Sequence, residues 1–294
     1  MHAIWEFCIR AMDRHFAYDA SMSSFSIVGV LNVTPNSYVD GGKYEGVDRA
    51  LARASEMLKE GADIIEIGGE STGPNSPAVS LEEERMRVIP VIGAIRKAFP
   101  DARLSVDTYK ASIAQEAIAL GVTMVNDVTA GRGDPGLFSV VAASTASIVL
   151  MYAKDSTART TMASQQYEDV LMTVRNFLAE RIAAAEQVDI ERRRIIIDPG
   201  LGHFLSSDAR YSLEILHRLS ELRELGCPIF LSPSRKSFLA GEGNLPVADR
   251  LPGTIAASSI AVLNGAEYIR THDVLAVRRA CEIAATVRDV GKAQ

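Results

Sequence analysis

The sequence predicts an α/β fold, a (β/α)8 barrel in a single domain, and two observations favour it. Short, continuously apolar runs alternate with longer stretches of helical period, as expected for parallel strands that are buried on both faces. Eight such runs follow residue 26, and no composition shift or proline-rich linker divides them into two bodies. A doubly wound open sheet is the alternative, because it shows the same alternation of strands and helices.

The predicted strands are short segments that mostly end in polar residues. They are SIVGVLNV from residue 26, DIIEIGG from 63, RLSVDT from 103, TMVNDV from 123, ASIVLMY from 146, RIIIDPG from 194, PIFLSPS from 228 and EYIRTHD from 267. Several of the helices between them end at a glycine that directly precedes the next strand, namely Gly61, Gly121, Gly226 and Gly265. Ser80 and Glu83 form a capping box at the start of another helix.

Composition excludes several classes of protein. The chain has 31 Lys and Arg against 37 Asp and Glu, a net charge of −6, so we expect no nucleic-acid partner. Three widely spaced cysteines indicate neither a disulfide framework nor a zinc site, which fits a cytoplasmic setting. No apolar run reaches the roughly 18 residues of a membrane span. Residues 1–24 precede the barrel of residues 25–290 and form either an amphipathic helix or a frayed extension.

Polar side chains gather where the predicted strands end. In a (β/α)8 barrel the active site lies at the carboxyl ends of the strands, so these residues are the candidates for function. Met151 is the apolar exception at these ends. The polar ones are Asn32, Glu70 with Ser71 and Thr72, Asp107, Asn126 with Asp127, Asp198, the run Ser234, Arg235 and Lys236, and finally Arg270 and His272.

Asp107 and Asp198 end very apolar strands, where an unpaired carboxylate is unfavourable, so each needs a hydrogen-bond donor. A ligand rich in N–H groups would supply those donors. Asn126 adds an amide that both donates and accepts, so the three side chains could read the edge of a flat, amidine-like heterocycle. For Asp127 and Arg235 we favour a structural role, as charges that tie neighbouring strands together.

The last two strands carry a group of basic residues. Lys236, Arg270 and His272 lie on the side where such barrels commonly bind phosphate, so this cationic trio suggests an anionic leaving group. A cluster of surface salt bridges is the alternative interpretation. Two loops are rich in Gly, Pro, Ser and Asn, TPNSYVDGGKY after Asn32 and ESTGPNSPAV after the second strand. We expect them to be mobile and able to close as lids, with ordinary long turns as the alternative interpretation.

Seven ordered segments carry a resemblance to a known family. They are IVGVLNVTPNSYVDGG, ADIIEIGGEST, LSVDTYK, VNDV, IIIDPGLG, SRKSF and RTHD. From about residue 26 to 285 the chain resembles the dihydropteroate synthases, folate-pathway enzymes with a pterin-binding barrel and the targets of sulfonamides. The resemblance implies that 6-hydroxymethyl-7,8-dihydropterin diphosphate is joined to the amine of 4-aminobenzoate, with release of diphosphate and participation of Mg²⁺. It also suggests a homodimer formed through the final helices.

The resemblance implies roles for individual residues. Asp107, Asn126, Met151, Asp198 and Lys236 would hold the pterin. Asn32, Arg270 and His272 would hold the diphosphate, with Asn32 as the ligand to magnesium. The arylamine would contact Thr72, His203 and Ser237. Asp40 in the first loop would help to order the closed site, and the resemblance makes Asp40, Asp198 and Lys236 the catalytic residues.

The chain departs from the family pattern mainly around the second substrate. Asn36 stands where the family usually has Asp, Gly73 where it has Arg, and His203 where it has Phe; Tyr38 and Tyr152 are further differences. The stretch GHFLSSDARYSLEIL with SPSRKSFL resembles the sulfonamide-insensitive branch. Two alternatives stay open, a divergent pterin-binding homologue with another amine acceptor or no synthase activity, and a pterin-dependent methyltransferase.

Overall fold

The computed structural model describes residues 25–33, 42–241 and 243–290 of the chain. Several predictions fall outside these residues. They concern the N-terminal extension of residues 1–24, which includes Trp5, Ile9, Met12 and Phe16, and the first-loop residues Asn36, Tyr38 and Asp40.

Strands and helices alternate regularly along the described part of the chain. The strands are β1 (Ser26–Asn32), β2 (Ile64–Gly68), β3 (Arg103–Asp107), β4 (Met124–Asp127), β5 (Ser147–Met151), β6 (Ile195–Asp198), β7 (Phe230–Leu231) and β8 (Tyr268–Thr271). The helices are α1 (Gly42–Lys59), α2 (Leu81–Ala98), α3 (Ala111–Ala119), α4 (Leu137–Ala142), α5 (Val170–Glu186), α6 (Ala209–His217), α7 (Leu251–Leu263) and α8 (Val274–Val290). Each predicted apolar run contains one of these strands.

The strands form one parallel sheet in the order β6-β5-β4-β3-β2-β1-β8-β7. Between β6 and β7 the described residues show one β-bridge, Ile197 with Ile229, beside a hydrogen bond of 2.9 Å from the Ile197 amide to the Pro228 carbonyl. The sheet is therefore a nearly closed barrel, and the predicted (β/α)8 fold is confirmed. The open doubly wound sheet is wrong for this chain.

Alternation along the strands builds two apolar layers. Val28, Ile64, Met124, Val149, Ile196 and Phe230 form a separate buried cluster inside the barrel, where the ring of Phe230 stacks on Tyr268 at 6.2 Å between centroids. The neighbouring strand residues, such as Ile65 and Ile67, belong to the larger core between sheet and helices. Because successive strand side chains point to opposite faces, Glu66 lies on the same inner side as Ile64.

The local signals for helix ends hold in the structure. The Ser80 hydroxyl accepts a hydrogen bond from the Glu83 amide at 3.2 Å and caps α2. The four glycines that were predicted to stop helices all have positive φ angles, from +67° at Gly226 to +99° at Gly265. Among the described helices, none is long and apolar enough to cross a membrane.

Candidate active site

Strand register brings the predicted site residues close together at the carboxyl ends of the strands. Asp107 pairs with Asn126 across β3 and β4, and Met151 pairs with Asp198 across β5 and β6. Asn32 pairs with Gly68, which in turn pairs with Asp107. Residues that are far apart in sequence therefore form a ring at the carboxyl ends of the strands, where the fold predicts the active site.

Two adjoining compartments open at this end. The deeper one is lined by Asp107, Asn126, Met151, Asp198 and Lys236, which are the residues predicted to hold the pterin. The outer cavity, of about 770 Å³, is lined by Asn32, Thr72, His203, Ser237, Arg270 and His272, the remaining described candidates. Both compartments share the walls formed by Thr72, Asp107, Phe204, Ser232, Lys236 and Arg270. A single elongated ligand could occupy both.

A buried glutamate organises the floor of the deeper compartment. Glu66 is fully buried in the middle of β2 and accepts hydrogen bonds from Arg270 Nε and, at 3.0 Å, from Asn126 Nδ2. The Ser105 hydroxyl lies 3.4 Å from the same carboxylate. Arg270 Nη2 also donates to Asp107 at 2.9 Å. The guanidinium thus fixes two carboxylates at once, while Glu66 orients the Asn126 amide toward the site.

Asp198 and Lys236 face each other across the deeper compartment. Burial raises the pKa of Asp198 to about 6, although the nearby Lys236 ammonium and the Gly200 amide favour its ionised form. Burial likewise lowers the pKa of Lys236 to about 8. The Lys236 ammonium lies 4.4 Å from the centre of the Phe204 ring. Both groups are held in protonation states that a bound ligand can change.

The backbone conformation of Gly200 explains why the segment DPG ends in a glycine. Its amide donates to Asp198 Oδ1 at 2.8 Å, and its φ angle is +70°. A Cβ atom at this position would lie 2.4 Å from the Tyr152 carbonyl oxygen. Only glycine lets the backbone bend this tightly and still offer its N–H to the carboxylate.

The structure corrects the expected cationic trio of Lys236, Arg270 and His272. Partial desolvation of the ring and the charge of Arg270 lower the pKa of His272 to about 4, so the ring is neutral near pH 7 although the residue reaches the surface. Its Nδ1 lies 3.1 Å from the Ser234 hydroxyl and its Nε2 lies 3.4 Å from Asn32 Nδ2. His272 therefore acts as a hydrogen-bonding group, and the positive charge of this wall comes from Arg270 and Lys236. The sequence could not show that this ring lies beside the Arg270 guanidinium.

Asp127 and Arg235 have the structural roles that we expected, with a difference in detail. Arg235 pairs with Asp273 through Nη2 at 2.6 Å and joins the segments that follow β7 and β8. Asp127 instead caps its own loop, since it accepts hydrogen bonds from the amides of Thr129 and Gly131 and from the Thr129 hydroxyl. Their charges are satisfied within the scaffold.

The loop ESTGPNSPAV is anchored rather than loosely attached, contrary to the expected mobile lid. At its start Glu70, only 4% exposed, pairs with Lys110 at 2.6 Å and with Arg159. At its end Lys110 Nζ donates to the Val79 carbonyl at 3.0 Å. Its tip is fastened by hydrogen bonds from Arg159 to the carbonyls of Ser76 and Pro77. These donors come from distant parts of the chain, so the loop's composition alone could not predict them.

Three further site residues were not predicted from the sequence, namely Glu66, Phe204 and Thr160. Glu66 had a visible signal, because a lone carboxylate interrupts the apolar run DIIEIGG. Phe204 lines both compartments, and Thr160 lines the outer cavity from the segment after β5. Neither of these two lies at the end of a strand, so the barrel rule did not select them.

The magnesium ion that the family resemblance implies needs oxygen ligands at this site. Within the described residues no cluster of three His, Cys, Asp or Glu side chains could hold a metal by itself. Mg²⁺ is typically bound by one or two protein oxygens together with substrate phosphates and water. The exposed Asn32 amide, next to His272 at the mouth of the outer cavity, fits this second arrangement. The site suits a magnesium ion that enters with a diphosphate.

Comparisons with known proteins agree with this geometry. The family model described as pterin binding enzyme matches residues 28–272. A dihydropteroate synthase of Clostridium beijerinckii is 39% identical over 258 residues, which cover 87% of this chain and 92% of the relative. The chain belongs to the dihydropteroate synthase family. As a member of this family it is an enzyme, a transferase with a pterin-binding barrel.

Solved structures of the family superpose closely. Dihydropteroate synthase of Xanthomonas albilineans with 4-aminobenzoic acid is 38% identical, has a TM-score of 0.82, and is matched over 90% of this chain and 93% of its own. The same enzyme in complex with 7,8-dihydropteroate gives a TM-score of 0.76 at 35% identity and the same coverage. The family members matched here therefore share the described barrel as a whole.

Proposed function

We propose that the chain joins 6-hydroxymethyl-7,8-dihydropterin diphosphate to 4-aminobenzoate at the two compartments, giving 7,8-dihydropteroate and diphosphate. The observation that carries this proposal is the continuous pair of compartments, with carboxylates deep inside and an amide and imidazole at the mouth. The polar side chains of the first suit a flat N–H-rich ring, and those of the second suit an anion. Family membership supports both assignments.

The pterin is held in the deeper compartment by hydrogen bonds to its amidine-like edge. Asp107 and Asp198 accept from its N–H groups, Asn126 complements them, and Met151 packs against the ring. Lys236 lies beside Asp198 and donates to an acceptor of the ring. Because Glu66 and Arg270 already fix Asn126 and Asp107, the ring enters a preorganised set of partners.

The leaving group departs toward the outer cavity. The bond between the pterin methylene carbon and the diphosphate oxygen breaks, and its electron pair leaves with the diphosphate. Arg270, with its raised pKa, stays charged, and neutral His272 and Asn32 provide hydrogen bonds at the mouth. Asn32 would hold Mg²⁺, an ion that when bound would supply charge neutralisation for the leaving group.

The arylamine completes the reaction from the outer cavity. Its nitrogen lone pair forms the new bond to the methylene carbon, and one proton is lost from that nitrogen. Thr72, His203 and Ser237 line this cavity and position the ring for attack. Asp40, which lies outside the described residues, is proposed to help close the site over the substrates.

The direct test is turnover by the purified chain. Diphosphate release is measured with the dihydropterin diphosphate and Mg²⁺, with and without 4-aminobenzoate, and the pteroate product is followed by chromatography. We expect release that depends on 4-aminobenzoate and matches the product formed. Pterin binding without any pteroate would contradict the proposal and favour a different amine acceptor.

Pterin affinity should depend on pH through Asp198. Burial raises the pKa of this carboxyl to about 6, so it is ionised above that pH and progressively protonated below it. Since the ionised form accepts the pterin N–H groups, the Kd should rise by up to about tenfold per unit below pH 6, a rise that Asp198→Asn should abolish. Fluorescence titration with 6-hydroxymethyl-7,8-dihydropterin, which lacks the ionising diphosphate, measures this from pH 5 to 8. A flat profile would show that Asp198 does not bind the ring.

A homodimer is proposed through the last two helices. Helices α7 and α8 expose apolar side chains at helical spacing, namely Ile260, Leu263, Ile283, Val287 and Val290, each at least 40% exposed. An apolar face of this kind marks an interface. The double variant Ile283→Glu with Val287→Glu should shift the light-scattering mass from dimer to monomer, whereas Met86→Glu on α2 should leave it unchanged. A wild-type monomer at micromolar concentration would contradict the dimer.

We also propose a cytoplasmic location, consistent with the free, buried Cys227 and Cys281.

A further inference from the structure

The segment that follows β5 joins the two loops on either side of the outer cavity. Residues 154–161, which follow the end of β5, are called the strap here. They include Thr160, which is 3% exposed. The Thr160 amide donates to the Thr72 carbonyl at 3.1 Å. Its hydroxyl lies 2.7 Å from the His203 carbonyl oxygen, close enough to donate to it. One residue therefore connects the backbones that carry two proposed arylamine contacts.

The strap is itself held in one shape by an internal charge pair. Lys154 Nζ lies 2.6 Å from Asp155 Oδ2 and donates to the Thr161 carbonyl at 2.9 Å. Asp155 accepts from the Thr161 amide at 3.0 Å. Thr160 is thus presented to both loops by a rigid segment rather than by a free loop tip.

Arg159 fastens the strap to the tip of the ESTGPNSPAV loop. Its Nε donates to the Ser76 carbonyl at 3.1 Å, and its Nη2 donates to the Pro77 carbonyl at 3.1 Å and pairs with the Glu70 carboxylate. These three contacts span the turn that carries Thr72 and Gly73. Gly73 has no side chain of its own, and a Cβ there would only just reach the hydroxyls of Ser71 and Ser76. The turn has an internal hydrogen bond between the Ser71 and Ser76 hydroxyls at 2.8 Å, and Arg159 adds contacts to it from outside.

Thr72 borders both compartments, but the polar groups of the deeper compartment have their own anchors outside the strap. The groups there are fixed by other partners, since Arg270 holds Asp107, Glu66 holds Asn126 and the Gly200 amide holds Asp198. A change in the strap should move Thr72 and His203 without moving these carboxylates.

We propose that Arg159 and Thr160 are positioning residues for the second substrate, setting the distance between the Thr72 and His203 walls that grip the arylamine. The proposal rests on the proposed function of the outer cavity. It predicts that damage to the strap weakens use of 4-aminobenzoate selectively.

Two variants test the strap, with a matched control. Arg159→Gln removes the fork to Ser76 and Pro77 but leaves Glu70 paired with Lys110, so the fold should survive. Thr160→Val keeps the side-chain shape and removes the hydroxyl that meets the His203 carbonyl and, within the strap, Asp155 Oδ2. We expect each to raise the KM for 4-aminobenzoate by about tenfold, the effect of losing one or two hydrogen bonds, while the pterin Kd changes less than twofold. Arg159→Lys should raise the KM less than Arg159→Gln does. Arg210→Gln, at an exposed arginine, should leave both the KM and the pterin Kd unchanged.

The outcomes separate the strap from the function itself. A wild-type chain that makes no pteroate overturns the proposed function before the strap is considered. A wild-type chain that turns over, with variants that change both substrates equally or neither, overturns the strap proposal. Thermal melting of each variant identifies a loss of fold, in which case Thr160→Val, as the milder change, decides.

Discussion

Replacing Asp198 by asparagine is expected to lower kcat/KM for the pterin substrate by about 100- to 1,000-fold. The carboxylate accepts N–H groups from the ring, and hydrogen bonds to a charged partner contribute about 1.5–3 kcal/mol each. Losing two such bonds at about 1.5–2 kcal/mol each corresponds to this range in rate. Asparagine keeps the shape and can still accept from the Gly200 amide, so the loop conformation should persist.

The loss should appear at every concentration of 4-aminobenzoate, because it concerns the pterin. Steady-state kinetics with the pterin varied, together with the binding titration described above, measure it. Asp101→Asn, at an exposed aspartate after α2, is the matched control and should behave like the wild type. A folded Asp198→Asn variant within tenfold of wild-type activity would refute the assignment of Asp198 to the ring.

Replacing Arg270 by methionine is expected to destabilise the fold by about 3–5 kcal/mol, the usual result of removing one partner from a buried charge cluster. Glu66 is fully buried and Asp107 mostly so, and both lose their guanidinium. Burial already raises the pKa of Asp107, and loss of Arg270 would raise it further. A carboxyl whose pKa is raised in the folded state contributes stability at low pH that is lost as pH rises. The destabilisation should therefore be larger at pH 8 than at pH 5.5.

Urea unfolding at both pH values provides the measurement, since it also works for an inactive variant. Adding Glu66→Gln to the Arg270→Met background removes one of the stranded charges and should restore part of the stability. Arg193→Met, at an arginine that is 80% exposed, should give no measurable change. Equal stability of Arg270→Met and wild type would mean that the floor does not depend on this ion pair.

The fold could be predicted from the sequence because its signals are local and repeated. Apolar runs mark strands buried on both faces, and features such as Ser80 and the stop glycines act within a few residues. The barrel rule then converts strand ends into a site, which places Asp107, Asn126 and Asp198 together without knowledge of any contact. The family resemblance added the identity of the ligands, which no periodicity contains.

What the sequence could not supply are the pairings between distant elements. Glu66 with Arg270, separated by 204 positions, and Arg159 with Glu70, separated by 89, depend on the closed barrel and on loop geometry. Protonation escaped prediction for the same reason, because the neutral ring of His272 follows from partial desolvation and from its proximity to Arg270. Composition suggested a mobile second loop, but distant arginine and lysine side chains anchor it.

The weakly paired seam of the barrel has a consequence for the ligand. Within the described residues, β6 and β7 are joined by one bridge, and Asp198 ends β6 while Lys236 follows β7. A pterin bound to both side chains would connect the ends of these two strands, where few hydrogen bonds between the strands do so. Closure of the barrel between β6 and β7 and occupancy of the site are then thermodynamically coupled, so a bound substrate stabilises the closed barrel. Local opening and amide exchange along this seam should slow when the site is filled.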